Sequence, residues 1–545
     1  MRQVAPQDSC DAGSHARWET VGERVAVPER FNAARFFVDR HIDEGRGKRP
    51  AIRVDGRRLT YGDIHRSVNQ VGNALLSLGV ERGDRVLLVL LDGPEFVASF
   101  FGAMKIGAVP VPVNTLMRSA DYRYFLSDSA AKVLVVSEPL WTEVGAAVAS
   151  APHLSHVVVA GSAPASHVSY DEWVADASAS LECVDTSKDD PAFWLYSSGS
   201  TGFPKGAVHR HRDMLVCSDT YALQVLGITE EDVTFSAAKL FFAYGLGNNL
   251  YFPMRVGAEA VLLAGRPTAE AVFEILDGER PTLFFGVPTL YAAMLQVKDG
   301  DSRFDLSSLR RCVSAGEALP ADVYRHWMDR FHVEILDGIG TTEVLHIFLS
   351  NRPGRVRPGS SGVPVPGYDV VVVDEAGKPV PRGEIGNLRV KGDSTMACYW
   401  NRPDKTSEVL HGPWIATGDK YYVDEDGFFW YCGRVDDMLK VGGIWVSPIE
   451  VESALIAHDA VLEAAVVGHL DADRLIKPKA FVVLQDPGSA SEGLAEELRD
   501  FVRARIAPYK RPWWIEFVSV LPKTATGKIQ RYKLRETAPS DDALP

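Results

Sequence analysis

Phe193-Trp-Leu-Tyr-Ser-Ser-Gly-Ser-Thr-Gly-Phe-Pro-Lys-Gly206 is an apolar run that breaks abruptly into hydroxyls and glycines. Its first four residues have the composition of a strand. Ser197, Ser198, Ser200 and Thr201 then offer hydroxyl donors to phosphate oxygens, while Gly199 and Gly202 let backbone N–H groups turn toward the same anion. A strand feeding a phosphate-gripping loop points to an α/β fold with ligands at the strand ends. The order is not G-x-x-x-x-G-K-[ST], because Lys205 is followed by Gly206. A standard P-loop kinase or GTPase is thereby excluded.

Outward from this loop, between Arg58 and about Tyr431, short apolar runs alternate with stretches of helical period. Arg85–Leu91, Val133–Ser137, Val157–Ala160 and Thr282–Phe285 have the strand pattern. Pro94–Ile106, Pro288–Leu295 and Pro320–Phe331 are expected helices, each opened by proline in the first turn. This predicts a large domain over 1–434 built from layered, mainly parallel sheets with helices. A small, mobile α+β domain is expected over 435–545. In it Ser447-Pro-Ile-Glu450 has the form of a capping box opening a helix through Ile456. Ala464–Val467 and Ala480–Leu484 are strands, and Leu494, Leu498, Phe501, Val502 and Ile506 share one helical face.

At 545 residues the chain is too long for one core. Its 58 basic and 72 acidic side chains leave a formal charge of −14. That balance, with no long basic run, excludes nucleic acid or an anionic membrane as the main partner. Six scattered cysteines include no Cys-x-x-Cys pair, which fits a reducing cytoplasm. The apolar stretch Val86–Val113 is interrupted by Asp92, Glu95 and Lys105, as befits a buried strand and helix rather than a membrane span.

Two further segments carry matching chemistry. In Asp337-Gly-Ile-Gly-Thr-Thr-Glu343, read as a glycine-rich turn after the strand Val333–Leu336, the glutamate can ligate Mg²⁺ on triphosphate oxygens and the threonines can reach the α-phosphate. Thr417-Gly-Asp419, read as another turn, offers a carboxylate to both ribose hydroxyls. Near the second domain, Gly433-Arg-Val-Asp-Asp-Met-Leu-Lys440 and Pro522-Lys-Thr-Ala-Thr-Gly-Lys528 add cations.

Taken together and in this order, these segments resemble the adenylate-forming superfamily of acyl- and aryl-CoA synthetases, luciferases and peptide-synthetase adenylation domains. The likeness runs from about Arg58 to Arg535. It is nearest to the benzoate-CoA ligase group through Lys239-Leu-Phe-Phe-Ala-Tyr-Gly-Leu-Gly-Asn248, Leu345-His-Ile-Phe-Leu-Ser-Asn351 and Ala507-Pro-Tyr-Lys510. The resemblance implies ATP, Mg²⁺ and coenzyme A. Ser197, Ser198, Ser200, Thr201, Gly202 and Lys205 would hold the β- and γ-phosphates. Gly316, Glu317 and Ala318 would flank the adenine, with Asp337, Gly338 and Ile339 beside it and Asp337 accepting from its amino group. Thr342 would touch the α-phosphate, and Glu343 with Thr201 would bind the metal. Asp419 would bind the ribose and Arg434 the ribose or phosphate, with Tyr431 packed nearby. Lys528 would bridge carboxylate and α-phosphate, and Asp436 would be the hinge. After rotation Lys440, Gly442 and Gly443 would serve thioester formation, the glycines leaving room for the pantetheine arm.

The same resemblance implies an acid pocket of Ala243, Tyr244, Gly316, Gly340, His346 and Ile347, a flat slot that suits a ring better than an alkyl chain. Where amino-acid-activating relatives carry an aspartate, this chain has Phe242-Ala243, which argues against an α-amino acid. Benzoate, 2-aminobenzoate and hydroxybenzoate stay open. So does the acceptor, which is free CoA or the pantetheine of a carrier protein, and a homodimer is compatible with either. A non-enzymatic scaffold would require lost chemistry, yet Lys528, Glu343, Asp419 and Arg434 are all present.

Overall fold

The computed structural model describes residues 25–164, 167–197, 203–441, 444–471, 475–523 and 529–536. The chain is α/β, with a large N-terminal domain of mostly parallel sheets and a smaller C-terminal domain. A nine-stranded sheet runs in the spatial order 363–364, 347–350, 335–340, 311–314, 283–286, 233–236, 259–261, 50–54, 57–60. Its central pairings are parallel, and the outer pairings at each end are antiparallel. A five-stranded sheet (109–112, 85–89, 133–137, 156–160, 168–169) is parallel throughout. Parallel strands covered on both faces read as continuous apolar runs, which is why Val133–Ser137 is buried at every position.

Two antiparallel sheets complete the large domain. The strands Pro191–Ser197 and Lys205–Arg210, which flank the phosphate loop in sequence, pair as a hairpin, and Cys398–Tyr399 adds to the far edge of the second. A second sheet combines Asp369–Val373, Gly386–Lys391, Trp414–Val423 and Phe429–Arg434. The Thr417–Asp419 segment lies inside its long strand rather than in a turn, and Asp419 pairs there with Arg434. Likewise the strand at 335 continues through Gly340, so Asp337–Gly340 is sheet and the turn begins at Thr341. Both neighbours, 311–314 and 347–350, hold it there.

The C-terminal unit has its own core, made by Leu439, Val446, Val451, Leu455, Val466, Val482, Leu498 and Val502 among others. The core clusters of the large domain end at Phe429. Ser447 caps the helix Pro448–Ile456 by accepting from Glu450 N at 3.2 Å. The reciprocal half of the expected capping box is replaced, because the Glu450 carboxylate takes Lys510 Nζ at 2.7 and 2.6 Å. Among the described residues no helix is long and apolar enough to cross a membrane.

Candidate active site

The carboxyl ends of the parallel strands 233–236, 311–314 and 335–340 lead into three groups of expected site residues: Ala243 and Tyr244, Gly316 to Ala318, and Thr342 to Ile347. Ser197, the last residue of its strand, donates from Oγ to Glu343 Oε1 at 3.0 Å. Tyr399 donates to the same oxygen at 2.6 Å, and Lys205 Nζ stands 4.6 Å above the Tyr399 ring. Two hydroxyl donors on Oε1 orient the carboxylate, and among the described residues none bonds to Oε2. A hard divalent cation takes one or two carboxylates and completes its shell with phosphate oxygens and water, so this arrangement fits Mg²⁺. Ser198, Ser200, Thr201, Gly202, Gly442, Gly443 and Lys528 lie outside the described residues, as does the Lys440 side chain. The Lys440 backbone belongs to the strand Leu439–Val441.

Asp337 forms the floor of the next compartment. It pairs with Ser314 and accepts from Leu319 N at 3.4 Å, which places it under the loop carrying Gly316, Glu317 and Ala318. Gly316 needs its freedom, since its φ of +96° strains any side chain. Asp337 is buried, and among the described residues its Oδ1 has no hydrogen-bond partner. Burial pushes its carboxyl up to about 8, with Ser314 and backbone donors pulling the other way. A buried acceptor lacking a donor is what the adenine amino group would satisfy. Gly338 and Ile339 continue the strand beside it.

Across the antiparallel ladder, Arg434 Nη1 donates to Asp419 Oδ1 at 3.0 Å and to the Thr417 carbonyl at 2.9 Å. Tyr431 packs on Tyr421 with ring centroids 5.4 Å apart. Asp436 lies in the turn between Phe429–Arg434 and Leu439–Val441. Beside it, Arg531 Nη1 lies 3.7 Å from Asp437, and the same guanidinium holds Glu452 at 2.7 Å. The ends of the segment containing Lys528 are tied by a Lys523–Ile529 bridge and by Gln530 N on the Pro522 carbonyl at 2.8 Å.

Of the residues expected to line the acid pocket, Tyr244 and Gly340 lie against His346. Its Nε2 faces Asn248 Oδ1 at 3.2 Å and the Tyr244 carbonyl at 3.3 Å; both are acceptors, so this nitrogen carries the hydrogen. Burial holds the imidazole neutral, with its pKa down at about 3. Rings of Phe252, Tyr221 and Tyr244 surround it at 4.5, 5.5 and 5.7 Å. Ala243 opens the short helix Ala243–Leu246, and the Tyr244 hydroxyl donates to the Gly286 carbonyl at 3.2 Å. Gly340 faces Ile347 in the ladder; a Cβ there would meet the His346 carbonyl at 2.5 Å, so only glycine lets the two strands close.

Five contributors escape the motif reading. Tyr399 orients Glu343, and Asn248 orients His346. Asp128 accepts from the Tyr196 hydroxyl at 2.8 Å and from Arg402 at 3.2 Å, bracing the loop hairpin. Asp92 accepts from Leu240 N at 3.1 Å, while Lys239 Nζ caps the carbonyls of Leu263 and Gly265; together they fix the segment that enters the pocket helix. Asn248 and Lys239 stand within a quoted motif, so proximity in sequence was a signal for them. Tyr399 and Asp128 are brought in by long-range pairing alone.

The family model for AMP-binding enzymes matches residues 39–400, and that for the AMP-binding enzyme C-terminal domain matches 450–528. The benzoate-CoA ligase of Thauera aromatica is 53% identical over 513 residues, 94% of this chain and 97% of that protein. A 4-hydroxybenzoate-CoA/benzoate-CoA ligase of Rhodopseudomonas palustris is 47% identical over 94% of this chain and 97% of its own length. Among solved structures, an anthranilate-CoA ligase in complex with anthranoyl-AMP superposes with a TM-score of 0.91 at 46% identity, covering 95% of this chain and 99% of that one. By its matched domains and by these relatives, the chain belongs to the family of AMP-binding enzymes.

Proposed function

We propose that the protein is an AMP-forming aryl-CoA ligase that joins benzoate or a substituted benzoate to coenzyme A at the expense of ATP. One observation carries the reading. Within a single turn, Glu343, bonded to Ser197 of the phosphate loop, is three residues from His346 in an aromatic slot. The loop and the slot are thus adjacent, as phosphate activation of a ring-bearing acid requires. The relatives named for benzoate, hydroxybenzoate and anthranilate support the substrate class.

In the first half-reaction a carboxylate oxygen attacks the α-phosphorus and the bond to pyrophosphate breaks, leaving aroyl-AMP. The acid is already ionised near pH 7, so no general base is needed, and the barrier is one of position and charge. Ser197 and Lys205 would grip the outer phosphates, Asp337 the adenine and Asp419 the ribose. Glu343 would hold Mg²⁺, which supplies charge neutralisation on the triphosphate when bound. Lys528 would approach with the small domain and offset the meeting of two anions. In the second half-reaction the CoA sulfur attacks the acyl carbon, the bond to AMP breaks and the thiol proton leaves to solvent. Rotation about Asp436 would withdraw Lys528 and bring Lys440, Gly442 and Gly443 to the pantetheine channel. Separate cores on either side of the turn at Asp436 support that motion.

The test is product analysis with benzoate, 2-aminobenzoate, 4-hydroxybenzoate and acetate, each with ATP and free CoA. Equimolar aroyl-CoA and AMP, with kcat/KM for an aromatic acid about 100-fold above acetate, is expected. No aroyl-CoA from any aromatic acid would overturn the reading, and loading only of a carrier protein would move the acceptor to protein-bound pantetheine.

A further inference from the structure

The strand Lys205–Arg210 leaves the phosphate loop and carries His209 into the interior, where neither it nor Asp213 has any exposure. His209 Nδ1 lies 2.9 Å from Asp213 Oδ2, and Nε2 lies 2.8 Å from the carbonyl oxygen of Thr342. A carbonyl only accepts, so Nε2 carries a hydrogen and donates it. Phe193 stacks on the ring at 5.3 Å, and Asp213 Oδ2 also accepts from Arg210 N at 3.0 Å, so the imidazole is fixed from two sides.

The carbonyl it holds belongs to an over-determined turn. The next two are also caught, Glu343 O by Met396 N at 2.8 Å and Val344 O by Ser394 Oγ at 2.7 Å. The turn closes at Leu345 with φ +74° and ψ −43°, a conformation that leucine avoids. Such strain persists only where surrounding bonds impose it. Of the three restraints, His209 alone comes from the strand that leaves the phosphate loop, so one rigid element bears on both sides of the triphosphate site.

We propose that His209 is a positioning residue: through the Thr342 carbonyl it sets the direction in which Thr342 and Glu343 face the triphosphate. The proposal rests on the ATP-dependent reading above. The experiment compares His209→Leu, which keeps bulk and removes the donor, with His209→Gln, whose amide can reach the same carbonyl. Acid-free ATP binding by calorimetry, benzoate-dependent pyrophosphate exchange, CoA attack on supplied benzoyl-AMP and Tm are read for each.

His209→Leu is expected to weaken ATP binding and slow exchange by about tenfold each, while CoA attack changes less than about threefold. His209→Gln should return exchange to within about threefold of the parent. Equal loss of both half-reactions in the two variants, in step with Tm, would reduce His209 to a core residue and overturn the proposal. An ATP dissociation constant unchanged in His209→Leu would overturn it as well. Because that constant needs no turnover, it separates this outcome from a parent enzyme that shows no exchange, which would instead sink the ATP-dependent reading.

Discussion

Ser197 and Glu343 lie 146 residues apart in sequence, yet the serine hydroxyl donates to the glutamate carboxylate at 3.0 Å. This contact joins the end of the hairpin strand at the phosphate loop to the turn after the strand 335–340. The Tyr399 hydroxyl completes the arrangement on the same oxygen at 2.6 Å.

Removing the tyrosine donor should therefore be felt in the first half-reaction. A hydrogen bond to a charged group is worth about 1.5–3 kcal/mol. Tyr399→Phe is expected to slow benzoate-dependent pyrophosphate exchange at least about tenfold and to raise the Mg²⁺ concentration for half-maximal rate. Titration of exchange against Mg²⁺ checks both, and an unaltered curve would remove Tyr399 from the site.

Asp337 makes stability depend on pH in a definite direction. Its carboxyl is raised from the usual range to about 8 by burial, so the folded chain binds the proton more tightly than the unfolded one. The stabilisation is fully present below about pH 4 and is lost as pH rises through about 8. Asp337→Asn removes this dependence, so the Tm of the parent relative to the variant should fall between pH 5 and 9. The variant keeps an acceptor for the adenine amino group, and its KM for ATP should stay within about threefold; a constant Tm difference across that range would contradict the burial argument.

His346 should be silent in the physiological range. Burial lowers its pKa to about 3, because charging the ring would place an unsolvated cation in the interior, and the Tyr244 carbonyl opposes this only in part. The KM for benzoate should consequently show no inflection near pH 6.5. An inflection there that disappears in His346→Ala would show the imidazole titrating against the substrate.

The two half-reactions should separate genetically. Lys528→Ala is expected to abolish pyrophosphate exchange while largely sparing CoA attack on supplied aroyl-adenylate. Asp436→Pro, by stiffening the turn, should slow thioester formation more than adenylation. Single-turnover assays of each step decide the matter, and equal losses in both variants would argue against domain rotation.

Much of this was legible because apolar runs bounded by proline or glycine carry their own signal. Val133–Ser137 and Pro288–Leu295 form with the expected bounds. Asp337–Gly340 was harder, since three glycine- and aspartate-rich positions have turn composition. They form strand because Asp337 pairs with Ser314 on one side, Gly338–Gly340 pair with 347–350 on the other, and glycine allows the close approach. Thr417-Gly-Asp419 misleads for the same reason. The strand Gly386–Lys391 alternates buried and half-buried residues, a period-two pattern overshadowed by the stronger α/β signal. Tyr399 and His209 have no local mark at all. Their meaning comes from the pairing of Tyr399 with Ala207 and from the distance between His209 and Thr342.

The chemistry turns on whether an aromatic acid is activated before any thiol is present. Exchange of labelled pyrophosphate into ATP, measured with benzoate and without CoA, reads that step alone. Exchange that depends on benzoate and exceeds that with acetate by about 100-fold is predicted. Exchange that ignores the acid, or that acetate drives as well as benzoate does, would contradict it.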